Sequence, residues 1–231
     1  LSESLMVMHE LPPDEPGLLA GKPLQGPNQW PDLPGFRETI LSYNDALEGV
    51  ARRLAQAVAR GLGLPDDHFA PAFARPTTWL RLLHYPPQPP DDDAAQFGSA
   101  PHTDYGFLTI LAQDDAGGLE VRGLDDTWIP APPIEDAFVI NVGDILMRWT
   151  DGRFASTPHR VRNTSGRDRY SIPFFYDPGM ETMVERLPGI NEGATPRWPP
   201  VCFGDYVMER LDRNYAYRKG LEAAQNKAGA A

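Results

Sequence analysis

The sequence predicts an α+β fold in which a helical N-terminal part packs on an antiparallel double-sheet core, and three observations carry that prediction. An apolar stripe at helical spacing runs through residues 36–60, a series of short apolar runs split by glycine and proline turns follows Thr77, and a second helical pattern closes the chain near 203–219. Short runs with turns at such close intervals suit a sandwich or barrel, not alternating βαβ units.

Residues 1–35, with "LPPDEPG" and "GKPLQGPNQWPDLPG", read as an irregular, proline-punctuated lead-in. From Phe36 onward Ile40, Tyr43, Leu47, Val50, Leu54, Ala57 and Val58 recur at three- and four-residue steps, the apolar face of an amphipathic helix. Pro34 before it, Glu38 in its first turn, Arg60 in its last and Gly61 after suit the ends of a helix over 36–60. "PDDHFAPAFARP" predicts a second, short helix that ends before Pro76. "TWLRLLHY" reads as a strand opening into the acid-rich loop "PPQPPDDD". "FLTILAQ", "GLEVRG", "TWIPAPP", "DAFVINVGD", "ILMRWTDGRF" and "HRVRNTSGRDRYSIPFFYDPG" follow in strand-and-turn texture, with Gly117-Gly118, Gly123, Gly143, Asp151-Gly152 and Ser165-Gly166 as punctuation. Asp114-Asp115 reads as a turn. The closing helical pattern is rich in Arg and Tyr and trails into an alanine-rich tail.

With 231 residues, 41% of them hydrophobic, the chain supports one sizeable core. A net charge of −11 argues against nucleic acid or an anionic membrane as the main partner, since both reward clustered Lys and Arg. It leaves room for a small anion held by local arginines. No apolar run reaches the roughly 20 residues of a membrane span, and no secretory h-region opens the sequence. Cys202, the single cysteine, offers neither an internal disulfide nor a thiolate cluster and points to a reducing cytoplasm. The 25 prolines, about twice the ordinary share of roughly 5%, fit many short elements. The chain starts at Leu1, not Met, which predicts missing N-terminal residues. Oligomeric state is left open.

The chemistry concentrates in "SAPHTDYGFLTILAQDD". Side chains two apart on an extended segment share a face, so His102 and Asp104 can aim at one spot. His159, in "RFASTPHRVRN", is the natural third member. Two imidazoles and a carboxylate without thiolate suit iron(II), manganese or zinc, and this set with open positions is the pattern of non-haem iron(II) oxygenases. Hydrogen bonding between His102 and Asp104 alone competes with that reading. His9, His68 and His84 lack an acidic neighbour in a comparable strand and read as non-ligands. Ten residues after His159, Arg169 and Ser171 share a strand face in "GRDRYSIPFF". A buried guanidinium needs a partner. No acidic residue is obviously placed for it, which points to a ligand carboxylate, with a salt bridge to a surface acid as the competing explanation.

The constellation "HTDYGFLTIL", "STPHRV" and "RYSIPFF" resembles the iron(II)/2-oxoglutarate-dependent dioxygenases, specifically their isopenicillin N synthase-like branch. "LHYPPQP", "QDDAGGLEV" and "VGDILMRWTDGRFASTPHRV" match that branch in order, and the likeness runs from "GPNQWPDLPGF" to "FFYDPG". The resemblance implies a double-stranded β-helix (jelly-roll) core flanked by a long N-terminal-side helix and a C-terminal helix. It makes residues 1–231 a single domain, with 1–76 as support, 77–180 as the core and 181–231 as a C-terminal strand and helix. It implies Fe(2+) on His102, Asp104 and His159, Arg169 and Ser171 on the distal carboxylate of 2-oxoglutarate, and Tyr85 near that co-substrate. It further implies O2 as oxidant and oxidation, typically hydroxylation, of a small molecule, coupled to decarboxylation of 2-oxoglutarate. Alternation sets Trp79, Arg81, Leu83 and Tyr85 on one face, which makes Arg81 a candidate for the substrate wall. Phe107, Trp149 and Phe174 are further candidates, against core packing as the plainer explanation. Leu83 stands where many plant members carry asparagine, which separates this chain from plant substrate specificities. Four alternatives remain: an oxidase of the isopenicillin N synthase kind that uses no 2-oxo acid; an ethylene-forming enzyme, whose branch carries an arginine where Arg81 stands; an inactive metal-binding jelly-roll module; and a zinc hydrolase.

Overall fold

The computed structural model of the protein describes residues 2–88 and 97–214. In chain order these form β1 (Glu3–Met8), α1 (Pro16–Leu19), α2 (Phe36–Gly61), β2 (Thr77–Tyr85), β3 (Ser99–His102), β4 (Leu108–Gln113), β5 (Leu119–Arg122), β6 (Trp128–Pro130), β7 (Val139–Val142), α3 (Asp144–Trp149), β8 (His159–Val161), β9 (Arg169–Asp177), β10 (Met183–Val184), β11 (Val201–Cys202) and α4 (Phe203–Asn214). Two antiparallel sheets dominate, one in the order β1-β2-β9-β4-β7 and one in the order β3-β8-β5-β6. No helix among the described residues is long and apolar enough to cross a membrane.

The long helix runs as its stripe predicts. Ile40, Leu47, Ala51, Ala55 and Ala59 are buried and share one core with Leu80, Ile110, Phe174 and Tyr176 of the large sheet. Each large apolar side chain removed from water there contributes about 1.5–3 kcal/mol before chain entropy is counted. Along β2, Leu80 and Leu82 join this core, while Arg81, Leu83 and Tyr85 line the cavity; Trp79, expected on their face, is buried in the core instead.

Four expectations need correction. The lead-in is not wholly irregular, since Glu3–Met8 pairs in unbroken antiparallel register with β2, from Glu3 opposite His84 to Met8 opposite Trp79. The second short helix is absent. Residues 65–75 form successive turns closed by bonds such as His68 N–H to the Pro65 carbonyl and Ala70 N–H to that of Asp67, because Pro71 removes a donor from any longer ladder. "DILMRW" is the helix α3, not a strand. Its first amides are taken by the carbonyls of the 104–107 segment: Asp144 N–H donates to Asp104, Ile145 to Gly106, and Gly143 just before it to Phe107. A Cβ on Gly143 would lie 2.2 Å from the Gly106 carbonyl oxygen, so this close approach requires glycine. Finally, Phe107, Trp149 and Phe174 belong to the core between the large sheet and its helices. Phe107 and Phe174 are fully buried, and Phe107 and Trp149 pack with Phe69 and Phe73 at ring separations of 5.0–6.4 Å. They fill the far side of the sheet from the cavity and are withdrawn as substrate-wall candidates. The closing helix is seen to Asn214, and the rest of its expected span, like residues 89–96 of the acid-rich loop, lies outside the described residues.

Candidate active site

Between the two sheets lies a cavity of about 160 Å³, lined from β2, β4, β7 and β9 on one side and β3, β5 and β8 on the other. His102 ends β3 and His159 opens β8, directly opposite each other in the ladder, with ring centroids 4.3 Å apart. Asp104 follows two residues later, where the carbonyl-to-amide bonds with α3 fix its backbone. Its Oδ1 lies 3.8 Å from His102 Nε2 and 3.7 Å from His159 Nε2. Both separations are under twice a metal–donor bond of about 2.1 Å, so one ion can join Asp104 to either histidine. All three residues offer a ligand atom within 4.8 Å of one another.

The surrounding bonds prepare those atoms. His102 Nδ1 faces the Ala100 carbonyl at 2.7 Å and His159 Nδ1 that of Thr157 at 3.1 Å. Each Nδ1 therefore carries the hydrogen and each Nε2 presents its lone pair. Asp104 Oδ2 accepts from Thr109 Oγ1 at 2.5 Å and Asn141 Nδ2 at 2.7 Å, which leaves Oδ1 toward the histidines. Burial first, and then the second imidazole, lower the His102 pKa, against the pull of Asp104; Arg81 adds to the lowering. A neutral imidazole is the ligating form. The donor set therefore fits a divalent metal of the iron or manganese kind.

At the cavity's other end Arg169 is almost fully buried. Its Nε donates to the Gly117 carbonyl at 2.5 Å, Nη2 to Gln113 Oε1 at 3.2 Å and Nη1 to Ser171 Oγ at 3.3 Å. The guanidinium carbon sits 4.8 Å from the centre of the Tyr85 ring. Among the described residues no carboxylate comes within 4.0 Å of it, and burial pulls its pKa below the usual arginine range while Tyr85 and Asp114 resist. Gly117 holds its carbonyl there from a turn in which Asp114 Oδ1 accepts the Ala116 amide, the turn the sequence predicts. Arg81 also lines the cavity and donates from Nε to Ser4 Oγ of β1 at 3.1 Å.

The structure thus brings His102, Asp104, His159, Tyr85, Arg169, Ser171 and Arg81 to one cavity. Sequence reasoning missed Thr109, Asn141 and Gln113. Thr109 and Asn141 are direct partners across β4 and β7, and the available signal was a polar residue inside an apolar strand, as in "FVINV". His84, read as a non-ligand, lies outside this donor set. Its ring stacks on Tyr170 and faces Asp168 at 2.8 Å and Glu3 at 3.0 Å, and these carboxylates push its pKa up. The two acids flank opposite ring nitrogens, which favours the protonated ring.

Two histidines and one carboxylate form a donor set suited to a non-haem metal, and across the cavity stands an arginine with no acid beside it among the described residues, a group suited to an organic anion. Residues 76–178 match the 2OG-Fe(II) oxygenase superfamily. The chain belongs to that superfamily. It is 36% identical to 2-oxoglutarate-Fe(II) type oxidoreductase hxnY of Emericella nidulans over 96% of this chain and 66% of that protein. With a 2-oxoglutarate-Fe(II) type oxidoreductase of Aspergillus fumigatus the figures are 35%, 96% and 70%. Among solved structures, a full-length Neurospora crassa protein in complex with alpha-KG and thymine superposes with a TM-score of 0.83 at 32% identity, over 93% of this chain and 65% of that one. The chain therefore spans about two thirds of the length of the proteins it matches.

Proposed function

We propose that this chain carries the active site of an iron(II)- and 2-oxoglutarate-dependent oxygenase that oxidises a small molecule on a jelly-roll core. The observation that supports it best is the pairing, within one cavity, of the His102–Asp104–His159 donor set with the acid-free, buried Arg169–Ser171 pair. The co-acid named with the relatives, 2-oxoglutarate for hxnY and alpha-KG for the Neurospora crassa complex, favours a 2-oxo acid over a substrate that binds alone.

When bound, iron(II) together with 2-oxoglutarate supplies the activation of dioxygen for oxidation of a C–H bond. The chain's own residues hold and orient. His102 and His159 give nitrogen donors whose tautomer is set by the Ala100 and Thr157 carbonyls, and Asp104 gives a carboxylate turned by Thr109 and Asn141. Arg169 places a fixed positive charge for a distal carboxylate, with the Ser171 hydroxyl beside it and the Tyr85 ring stacked on it. Leu83, Leu111, Leu119 and Val161 surround this end with apolar side chains, so the charged contact forms away from water.

The test is anaerobic titration of the protein with iron(II) and then 2-oxoglutarate, followed by visible absorption. A weak charge-transfer band on adding the co-acid is expected. Arg169→Ala should weaken 2-oxoglutarate while iron binding persists, and His102→Ala should abolish iron binding. No band in the unaltered protein, or equal 2-oxoglutarate affinity in Arg169→Ala, overturns the proposal.

A further inference from the structure

Resting on the oxygenase reading above, we propose that the substrate is a small carboxylate with an apolar body, and that Arg81 is the residue that selects it. β2 turns Arg81, Leu83 and Tyr85 into the cavity. Tyr85 pairs with Arg169 in the ladder, whereas Arg81 lies four residues earlier on the same strand, about 13 Å along it. The two arginines therefore stand toward opposite ends of the cavity.

Charge bookkeeping distinguishes them. Besides the two histidines, the ionised side chains that line the cavity among the described residues are Asp104, Arg169 and Arg81. A divalent metal, Asp104, the two carboxylates of 2-oxoglutarate and Arg169 together sum to zero. Among the described residues the charge of Arg81 is then left unmatched, with no carboxylate within salt-bridge distance of it. A cation on the wall of this cavity favours a ligand that brings one negative charge. Arg81 is also pre-oriented: Nε donates to Ser4 Oγ, which leaves the terminal nitrogens of the planar fork to meet a carboxylate. Val139, Pro173 and Phe175 line the same cavity and offer contact but no hydrogen-bond donor from their side chains. A charged head at Arg81 and an apolar body over that surface places a C–H bond toward the metal.

The experiment is thermal denaturation of the protein loaded with manganese(II) and 2-oxoglutarate, against paired aryl and branched alkyl monocarboxylates and their primary amides at millimolar concentration. Loading itself should raise the midpoint; failure there overturns the oxygenase reading and not the selectivity argument alone. Several carboxylates should raise the midpoint further, their amides should not, and Arg81→Gln should weaken the best carboxylate at least about thirtyfold while keeping the 2-oxoglutarate shift. Arg81→Lys should recover part of the effect. Amides that match their acids, no carboxylate that shifts the midpoint, a carboxylate shift that survives Arg81→Gln, or loss of the 2-oxoglutarate shift in that variant each overturn the assignment.

Discussion

At the scale of single residues, the site is decided by which oxygen and which nitrogen each side chain keeps free. Asp104 illustrates this, because Thr109 and Asn141 both engage Oδ2 and leave Oδ1 to the histidines. Asn141→Ala should therefore lower metal affinity about 10- to 100-fold without removing a ligand, the usual cost of losing an orienting partner. Manganese(II) titration followed by electron paramagnetic resonance measures it, and affinity unchanged within about twofold would show that Asp104 needs no such help. Gly118 has a different burden. Its φ is +85°, and a Cβ there would meet the Arg162 carbonyl oxygen at 2.3 Å. Gly118→Ala is expected to cost about 1–3 kcal/mol in urea unfolding, and a smaller loss of 2-oxoglutarate binding should follow because the adjoining Gly117 carbonyl holds Arg169.

At the scale of elements, α4 reaches the metal segment through one buried acid. Asp144, at the start of α3, accepts from Tyr206 and Arg210 of α4 through Oδ2, and its own amide donates to the Asp104 carbonyl. Arg210→Ala leaves this carboxylate without its cation. The guanidinium is one third exposed, so the cost should fall at about 1–3 kcal/mol, below that of a fully buried pair. A lowered urea midpoint at unchanged slope is the expected signature. The elements also show what the sequence could reveal. α2 was legible because its stripe is local, and the His102–Asp104 spacing because it needs only one extended segment. β1 was not, since six residues become a strand only when β2 lies beside them. α3 was not, since an apolar run of that length is ambiguous by period and its helical start is secured by carbonyls far earlier in the chain, those of Asp104 and Gly106. Arg169 was legible as a cation wanting a partner, but Gln113 and the Gly117 carbonyl that hold it belong to another strand and a turn. For the same reason the aromatic candidates were ambiguous: hydrophobicity says that Phe107, Trp149 and Phe174 are buried, but not on which side of the sheet.

At the scale of the whole molecule, acids outnumber bases 32 to 21, so stability must depend on pH, and one buried carboxylate makes a separable contribution near neutrality. Asp177 ends β9 with its Oδ1 accepting the Phe107 amide at 2.8 Å. Burial pushes its pKa up to about 7; the Phe107 amide opposes the shift and the charge of Asp104 adds to it. In the unfolded chain the same group titrates near about 4. A folded-state pKa above the unfolded one means that the contribution is complete below about pH 4 and is lost as pH rises through about 7. For metal-free protein this amounts to a loss on the order of 2–3 kcal/mol between about pH 5 and pH 8. Asp177→Asn keeps an acceptor for the Phe107 amide and cannot ionise. Since acids remote from Asp177 titrate alike in both proteins, the difference in unfolding free energy between variant and parent reports this group together with the Asp104 charge it faces. That difference should grow in favour of the variant from about pH 5 to pH 8, read by urea denaturation at each pH. A constant difference across the range would mean that Asp177 stays ionised in the fold, stabilised by a cation or solvent path that its surroundings do not show.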